Sequence, residues 1–412
     1  MKKFFSSLSI YHLLLVSLIS KIISYYFFAD HELANEWEKL IHNKEISGIF
    51  GFYIASGEYI AHPKLAEAGD KVLPSVFMPP LYYYFIYILK LLSLDFFSLS
   101  NQVIFFQIIL SLVSIYIFSK ILIKFTTKEI SMVITSVFAF FPMNILAVSQ
   151  ISSITIQIFL LLNFFFFLVE FIFKKKKINL IIFSLFSGLL ILIRGEFFLF
   201  YLITILYFFI YYEKDFKTFF ITMLITFLVI SPYLHRNLNL FNTITLTKSF
   251  GYNLLKGNNP NLIVEGDAKY VENNFPRTKL KIKTNNQYEI NLDNFYRDEA
   301  IENIKKDPGL YLKFYFIKVI SFLFLDFNSS YPNYYNFFHI FPKLALSIIS
   351  FIGAITLIKK RGFFQYLSLF YFSNIFLFSI FFILPRYSLI LLPIQLILSL
   401  NILKKILGKL MN

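Results

Sequence analysis

The feature that most constrains the fold is a series of long apolar segments, rich in Phe, Ile and Leu, that recur along nearly the whole chain. Overall, 57% of the 412 residues are hydrophobic and only 15% are charged. Typical soluble domains carry about 25% charged residues, so a chain this apolar cannot keep a wettable surface in water. The sequence therefore predicts an integral membrane protein of the all-α class, because a helix satisfies its own backbone groups within lipid.

Lysine clusters flank several of the apolar segments and set the predicted orientation. They occur at residues 2–3, 120–128, 174–177, 214–217, 359–361 and 404–409. Cytoplasmic loops carry an excess of Lys and Arg, so all six clusters are predicted to be cytoplasmic, as is the N-terminus. The net charge of +15 is accordingly interpreted as a topology signal rather than as a sign of nucleic-acid binding.

About ten transmembrane helices follow, because a span needs roughly 20 mainly apolar residues. They are predicted at residues 10–28, 102–123, 130–148, 155–173, 178–194, 196–212, 218–232, 343–358, 363–383 and 387–403. The segments 81–94 and 311–325 contain lysines and are predicted to be interfacial helices. Three regions result: a transmembrane catalytic module of residues 1–232 that includes a first outer loop at 29–78, an extracytoplasmic loop at 233–310, and C-terminal transmembrane helices at 311–412.

Within the second outer loop, residues 265–292 mix hydrophobic residues with Asn, Lys and Thr, a composition that predicts short irregular structure rather than a packed core. From Asp293 onward, apolar residues recur at helical spacing. We therefore expect a surface helix that is capped by Asp293 and ends near Asp307 and Pro308.

Three carboxylates just after the first span are candidate catalytic groups. Asp30 ends that span, and Glu32 and Glu36, four residues apart, would share one face of a helix. A carboxylate at the membrane edge can remove a proton from a hydroxyl, because partial burial holds its pKa near the working pH. The alternative is an ordinary solvated acidic turn, since residues 30–78 contain eight acidic and four basic residues.

Four cations near predicted outer helix ends are candidate phosphate ligands: Arg194, Arg236, Lys248 and Arg386. Positive charge on the outer side runs against the topology rule, and guanidinium binds phosphate in a bidentate way. These residues would suit the phosphate of a lipid. A simpler interpretation of Arg194 is that its side chain reaches the outer membrane interface and pairs with Glu196.

The sequence lacks the motifs of several other catalytic chemistries. The six His are scattered without metal-ligand spacing, and the chain has no Cys, so no metal or other cofactor is predicted. Neither a phosphate-cradling Gly-rich loop nor a Ser-centred elbow is present. ATP hydrolysis and serine hydrolysis are therefore not expected.

Four sequence elements follow one another along the chain: MPPLY at 78–82, LIR at 192–194, PYLHRNLNLFNTITLTKSFGYNLLKGNNP at 232–260 and PRY at 385–387. In this order they resemble elements of bacterial membrane glycosyltransferases related to protein O-mannosyltransferases and lipid A aminoarabinose transferase. The stretch at 232–260 is similar to the one that leaves the seventh span of those proteins, with Tyr233 in place of Trp. The motif residues matched are Pro79, Pro80, Tyr82, Asn237, Gly251, Tyr252, Asn253, Gly257, Asn258 and Asn259.

The resemblance implies a GT-C fold with catalysis at the outer face of a bacterial inner membrane. A sugar would pass from a polyprenyl-phosphate donor to an extracytoplasmic acceptor (a lipid-linked glycan, lipopolysaccharide or protein) with inversion at the anomeric carbon. The base would be Asp30, with Glu36 and then Glu32 as alternatives. SQISSIT at 149–155 has no carboxylate where many relatives carry a second one, so functions tied to that acid are not expected.

Two other classes of protein remain open as interpretations. A lipid or sugar transporter would also need about ten helices and cationic sites, but usually has related halves and charges inside the bundle. A polymerase or ligase of lipid-linked oligosaccharides would also carry a large outer loop with Arg. The acidic first loop and the MPPLY element favour the sugar transferase.

Overall fold

The computed structural model describes residues 9–29, 54–55, 73–74, 76–92, 98–212, 215–276, 279–283, 285–329 and 337–404. These ranges contain seventeen helices and one pair of two-residue antiparallel strands, β1 (Ile54–Ala55) and β2 (Leu73–Pro74), within the first outer loop. The helices of the first module are α1 (Ile10–Phe28), α2 (Leu81–Leu92), α3 (Leu99–Ile123), α4 (Lys128–Phe140), α5 (Pro142–Ser149), α6 (Ile154–Lys174), α7 (Lys177–Ile193), α8 (Phe197–Tyr211) and α9 (Phe216–Phe241).

The remaining helices form the second outer loop and the C-terminal part of the bundle. They are α10 (Phe250–Gly257), α11 (Ala268–Asn274), α12 (Tyr288–Lys306), α13 (Pro308–Leu323), α14 (Phe337–Leu357), α15 (Phe363–Phe378), α16 (Tyr387–Ile390) and α17 (Leu392–Leu398). The all-helical, multi-pass class is thus confirmed. The structure also contains the helices expected at residues 81–94 and 311–325, as α2 and α13.

Fewer helices than predicted meet the length of a membrane span. In the described ranges, α1, α3, α6, α9 and α14 are long and apolar enough, and the pair α4 and α5, bent by 49°, gives a sixth if it counts as one span. The other predicted spans are shorter apolar helices, α7, α8 and α15. The span expected at 387–403 is broken into α16 and α17, with Pro393 at the start of α17.

Helix α6 makes its most extensive contacts with α7 and α3. Its inward residues include Phe164 and Phe165, both fully buried. Rings from neighbouring helices surround them, and Phe165 packs edge-on against Phe370 of α15. The continuous apolar core therefore joins the N-terminal module to the C-terminal helices.

Lysines gather at one end of this bundle, which we call the lysine end. Glu170 in α6 forms ion pairs with both Lys124 and Lys174. Lys404 donates a 2.7 Å hydrogen bond to the Phe125 carbonyl. Several clusters that are far apart in sequence thus meet at the same end, as the charge pattern predicts. The opposite end, which carries α10 to α12, is called the loop end.

Two predicted helix boundaries are wrong. Helix α9 does not stop at Pro232 but continues through it to Phe241, so that Arg236 and Asn237 are helical. Helix α12 begins at Tyr288, not at Asp293. Asp293 lies within the helix, and its carboxylate accepts hydrogen bonds from the backbone of a neighbouring segment instead of capping its own helix.

The second outer loop contains a small hydrophobic core, contrary to the expectation of irregular structure at 265–292. Leu254 and Leu255 of α10 pack with Val271 of α11 and with Tyr288 and Tyr296 of α12, all of them buried. The mixed composition concealed this core because each short segment contributes only one or two apolar side chains. The loop end is therefore a packed platform that can hold side chains in fixed positions.

Candidate functional site

Arg194 is held firmly at the loop end of α7. Its guanidinium donates a 3.2 Å hydrogen bond to the Gln157 side chain of α6. The same group lies over the rings of Phe378 and Tyr387, at 4.7 and 4.8 Å from their centroids. The predicted pair with Glu196 is present but long, at 3.8 Å. Aromatic stacking of this kind fixes the plane of a guanidinium while leaving donors free for an anion.

Arg386 and Lys256 complete a row of three cations with Arg194. Tyr387 interacts with the side chains of both arginines, and Arg386 itself is exposed. The Lys256 ammonium lies 4.3 Å from the centroid of the Phe382 ring. Burial lowers the pKa of Lys256, and the positive charge of Arg386 lowers it further. Like charges held together in this way favour an anion between them, and we call Arg194, Lys256 and Arg386 the cation row.

Carboxylates also surround the cation row. Three of them raise the pKa of Lys256 and so oppose the two effects just described: Glu272, Asp267 and Glu265. Glu265 is buried and accepts a hydrogen bond from the Ser329 hydroxyl. The row is therefore bordered by acidic groups on the side of the second outer loop.

The GNNP motif is a structural element that positions the row. Asn258 donates hydrogen bonds of 2.9 Å to the carbonyls of Leu254 and Ile380. Asn259 donates to the carbonyl of Lys256 at 2.9 Å. A Cβ on Gly257 would lie 2.4 Å from the backbone of Phe381, so only glycine permits this approach. The motif thus fixes α10 against the segment that leads to Arg386.

Lys318 of α13 forms hydrogen bonds to both of these segments. Its ammonium is fully buried. It donates hydrogen bonds to the carbonyls of Gly257 and Phe381 at 3.0 and 2.6 Å, and to the Asn258 side chain at 3.1 Å. This lysine, in the middle of an interfacial helix, therefore holds the two segments together by hydrogen bonds.

The GYN part of the motif joins α10 to α12. The backbone amides of Gly251 and Tyr252 donate to the Asp293 carboxylate at 2.6 and 3.2 Å. A Cβ on Gly251 would lie 1.8 Å from the Asp293 carbonyl, so this contact also needs glycine. Asn253 is half-buried on the same short helix, and its backbone amide bonds to Ser249.

Arg236 and Asn237 lie inside the protein rather than on the loop-end surface. Arg236 is 5% exposed, and its guanidinium donates a 2.6 Å hydrogen bond to the Asn237 side chain and lies over the ring of Phe241. Asn237 in turn donates to the Thr245 carbonyl at 2.7 Å. These two residues hold the end of α9 to the chain that follows it.

Lys248 and the MPPLY element meet at a second place on the loop end. The Lys248 amide donates to the Val76 carbonyl at 2.8 Å, and its ammonium lies near Asp293. Pro79 and Pro80 follow directly and lead into α2. There the buried Tyr82 hydroxyl donates to Gln107 of α3 at 3.1 Å. The structure thus divides the four predicted cations, with Arg194 and Arg386 in the row and Arg236 and Lys248 outside it.

The predicted acids Asp30, Glu32 and Glu36 lie outside the described residues. The chain just before them is held by Gln150, which donates a 2.8 Å hydrogen bond to the Phe28 carbonyl. The loop that contains Gln150 leads into α6, which carries Gln157, the partner of Arg194. The loop end of α1 is thus linked to the same face as the cation row.

Three residues of this site were missed by sequence reasoning. Lys256 stands inside the recognised motif, next to Gly257, but the motif pattern consists of the flanking Asn and Gly residues and does not mark the lysine. Lys318 belongs to a segment whose lysines predict an interfacial helix and nothing more, and Gln157 gives no signal within an apolar span. Within the described ranges, no group of three or more His, Cys, Asp or Glu side chains could hold a metal ion; the expectation that no metal is needed stays a prediction.

Comparison with known proteins gives a distant structural similarity. Neither family models nor curated protein sequences match this chain. Among solved structures, the chain is similar to the archaeal oligosaccharyltransferase AglB from Archaeoglobus fulgidus in complex with an inhibitory peptide and a dolichol-phosphate, with 14% sequence identity and a TM-score of 0.47. The match covers 97% of this chain and 50% of that chain, so the protein spans about half its length. A similarity this remote carries no argument about activity.

Proposed function

We propose that the protein is an inverting membrane glycosyltransferase of the GT-C type, which moves a sugar from a polyprenyl-phosphate donor to an extracytoplasmic acceptor. The observation that carries the proposal is the cation row, in which Arg194 and Arg386 from two separated motifs flank Tyr387, and Arg386 lies close enough to Lys256 to lower its pKa. The ordered resemblance of those motifs to lipid-phosphate sugar transferases supports it independently.

The row has the chemistry that this reaction requires of a leaving-group site. When the acceptor oxygen bonds to the anomeric carbon, the bond from that carbon to the lipid phosphate breaks, and negative charge grows on the phosphate. Cations fixed in advance lower the energy of that transition state, because they need no reorganisation as the charge develops. Stacking on Phe378 and Tyr387 gives Arg194 that fixed position.

Asp30 is the proposed general base, with Glu36 and Glu32 as its alternatives. The base would take the proton of the acceptor hydroxyl as the new glycosidic bond forms. Its proposed position, directly after α1, agrees with the hydrogen bond that holds Phe28 to Gln150. No metal or other cofactor takes part in the proposed reaction.

The proposed setting is the bacterial inner membrane, with the N-terminus and the lysine end in the cytoplasm and the cation row on the extracytoplasmic face. The donor would lie with its isoprenoid tail among the helices. The acceptor would be a lipid-linked glycan, lipopolysaccharide or protein, and it would approach over the second outer loop.

The test is incorporation of radiolabelled sugar from a panel of polyprenyl-phosphate donors, in membranes that contain the protein or its variants. The informative variants are Asp30→Asn, Glu36→Gln and Arg386→Ala, and Arg361→Ala is the matched control, since Arg361 is exposed at the lysine end. Loss of transfer with Arg386→Ala and with one acid variant, at unchanged protein level and with Arg361→Ala active, would support the proposal.

The same assay separates the competing functions. A wild-type protein that lengthens a lipid-linked glycan by whole repeat units would be a polymerase or ligase. A protein that transfers nothing from any donor, but moves labelled lipid across a bilayer, would be a transporter.

A further inference from the structure

Two basic segments meet at the lysine end of the bundle, and together we call them the basic patch. They are residues 174–177 and 213–217. The Lys175 ammonium donates a 3.3 Å hydrogen bond to the carbonyl of Tyr212, just after α8, and Lys177 lies near Asp215. Lys175 also closes the tight turn between α6 and α7 with a left-handed backbone, at a φ of 54°. The turn is thus fixed next to the start of α9.

Acidic groups do not neutralise this patch. Its sequence holds six Lys against two acidic residues. The Asp215 carboxylate caps α9, because it accepts hydrogen bonds from the amides of Lys217 and Thr218 at 3.1 and 3.2 Å. Glu170, which is almost buried, is the ion-pair partner of Lys174. Positive charge therefore remains in excess on the surface of the patch.

Large apolar side chains alternate with the exposed lysines of the patch. Ile178, directly after the exposed Lys177, is 55% exposed. Phe216 and Phe220, on either side of the exposed Lys217, are 68% and 57% exposed. Apolar side chains of this size are unfavourable against water but suit a bilayer, where a lysine can extend its ammonium to the head groups. The patch therefore fits the boundary between hydrocarbon and head groups better than an aqueous acidic partner.

A shallow apolar groove begins beside these lysines, between α7, α8 and α9. Its lining includes Leu180, one turn after Lys177, together with Phe208 and Phe209 of α8 and Thr218 of α9. The groove holds only about 20 Å³, so a hydrocarbon chain would lie along it rather than enter it. Cations at the end of an apolar groove between helices match a phospholipid, in which a charged head group is joined to acyl chains.

We propose that the basic patch binds the head group of an anionic phospholipid, with Lys176, Lys177 and Lys217 as counter-charges and one acyl chain lying along the groove. Charge complementarity selects the anionic lipid, because a zwitterionic head group carries no net charge to offset the lysines. The site lies at the opposite end of the bundle from the cation row. It does not depend on the proposed sugar transfer.

The experiment titrates the purified full-length protein, in neutral detergent, with phosphatidylglycerol or phosphatidylcholine, and native mass spectrometry counts the bound lipids. The test variant combines Lys176→Gln, Lys177→Gln and Lys217→Gln. The matched control removes the same charge from exposed positions at the loop end, with Lys269→Gln, Lys305→Gln and Lys306→Gln. A third variant places Arg at the three patch positions and so keeps their charge. Each protein is also compared in an Arg386→Ala background, so that lipid bound at the cation row is recognised separately.

The wild type should bind phosphatidylglycerol about 100-fold more tightly than phosphatidylcholine, because each of three lysines near an anionic lipid contributes roughly fivefold in affinity. The patch variant with Gln should lose at least about 10-fold of this preference, while its weak binding of phosphatidylcholine stays unchanged. The Arg variant, the loop-end control and Arg386→Ala should all keep the preference.

Three results would overturn the inference. One is a preference for phosphatidylglycerol that survives the three Gln substitutions in the patch. Another is a loss of equal size in the loop-end control or with Arg386→Ala alone, which would place the lipid elsewhere. The third is equal binding of the two lipids by the wild type, which would leave an acidic protein segment as the alternative occupant of the patch.

Discussion

Lys318→Met should loosen the attachment between the GNNP motif and the segment that carries Arg386. In the wild type, four oxygens accept hydrogen bonds from the Lys318 ammonium: those of Gly257, Asn258 and Phe381 at 2.6 to 3.1 Å, and that of Ile380 at 3.4 Å. The Ile380 carbonyl also accepts from Asn258, so the first three are the ones that depend on Lys318. Methionine fills a similar volume but donates no hydrogen bond. The change therefore removes the donor while keeping most of the packing around the fully buried side chain.

The size of the effect follows from the acceptors that are left behind. Each buried oxygen without a donor costs about 1–3 kcal/mol, so three give roughly 3–9 kcal/mol. Burying the ammonium itself costs several kcal/mol, and methionine removes that cost. A net loss of about 3 kcal/mol in local stability remains, which corresponds to roughly a 100-fold increase in local opening.

Hydrogen exchange of the purified protein measures this opening directly. Amides of residues 254–258 and 380–383 should exchange about 100-fold faster in Lys318→Met, while those of α6 should not change. Lys313→Met, on an exposed position of the same helix, is the control and should exchange like the wild type. An exchange rate within about threefold of wild type in both segments would refute the view that Lys318 joins them.

Three further changes test how the cation row is built. Arg194→Lys keeps the charge but loses the planar stacking on Phe378 and Tyr387, which is worth about 1–2 kcal/mol. The kcat/KM of sugar transfer should therefore fall roughly 10-fold. An unchanged kcat/KM would count against the stacking argument. Lys256→Arg tests the pH dependence of donor binding. Burial and Arg386 lower the pKa of Lys256, so this lysine loses its charge at a lower pH than an ordinary lysine does. Donor binding should weaken at the same pH. Arginine stays charged, so the variant should keep binding donor to higher pH, and identical pH profiles of donor Kd would contradict this role. Gly257→Ala would place a Cβ 2.4 Å from the Phe381 backbone and should lower the Tm by several degrees. The control is Gly309→Ala, whose Cβ meets nothing closer than 3.7 Å and which should leave the Tm unchanged. Equal Tm values for the two variants would show that the loop can shift to accept the side chain.

The general architecture could be predicted from the sequence because bilayer physics leaves few choices. Apolar length and lysine position predict all-helical passes and the meeting of lysines at one end, as Glu170 with Lys124 and Lys174 illustrates. The helix boundaries were harder to predict. Pro232 predicts a helix end, but α9 continues through it to Phe241, because the helix goes on to bury Arg236 and Asn237 beneath the outer loop.

The site could be predicted only in part, because its residues come from separated segments. The motifs identified Arg194 and Arg386, and the structure places both beside Tyr387. They could not indicate that Arg236 points into the interior, since a buried and an exposed arginine look alike in a sequence. Lys318 was also out of reach, because its role depends on carbonyls that come together only after the chain has folded.

The central claim is that the protein transfers a sugar from a polyprenyl phosphate at the cation row. The most direct measurement follows a donor labelled in both sugar and lipid, in proteoliposomes that contain the purified protein. The account predicts that the sugar label appears in the acceptor in step with released polyprenyl phosphate, and that Arg386→Ala abolishes both while Arg361→Ala abolishes neither. Movement of the intact doubly labelled donor across the bilayer, without cleavage, would contradict it.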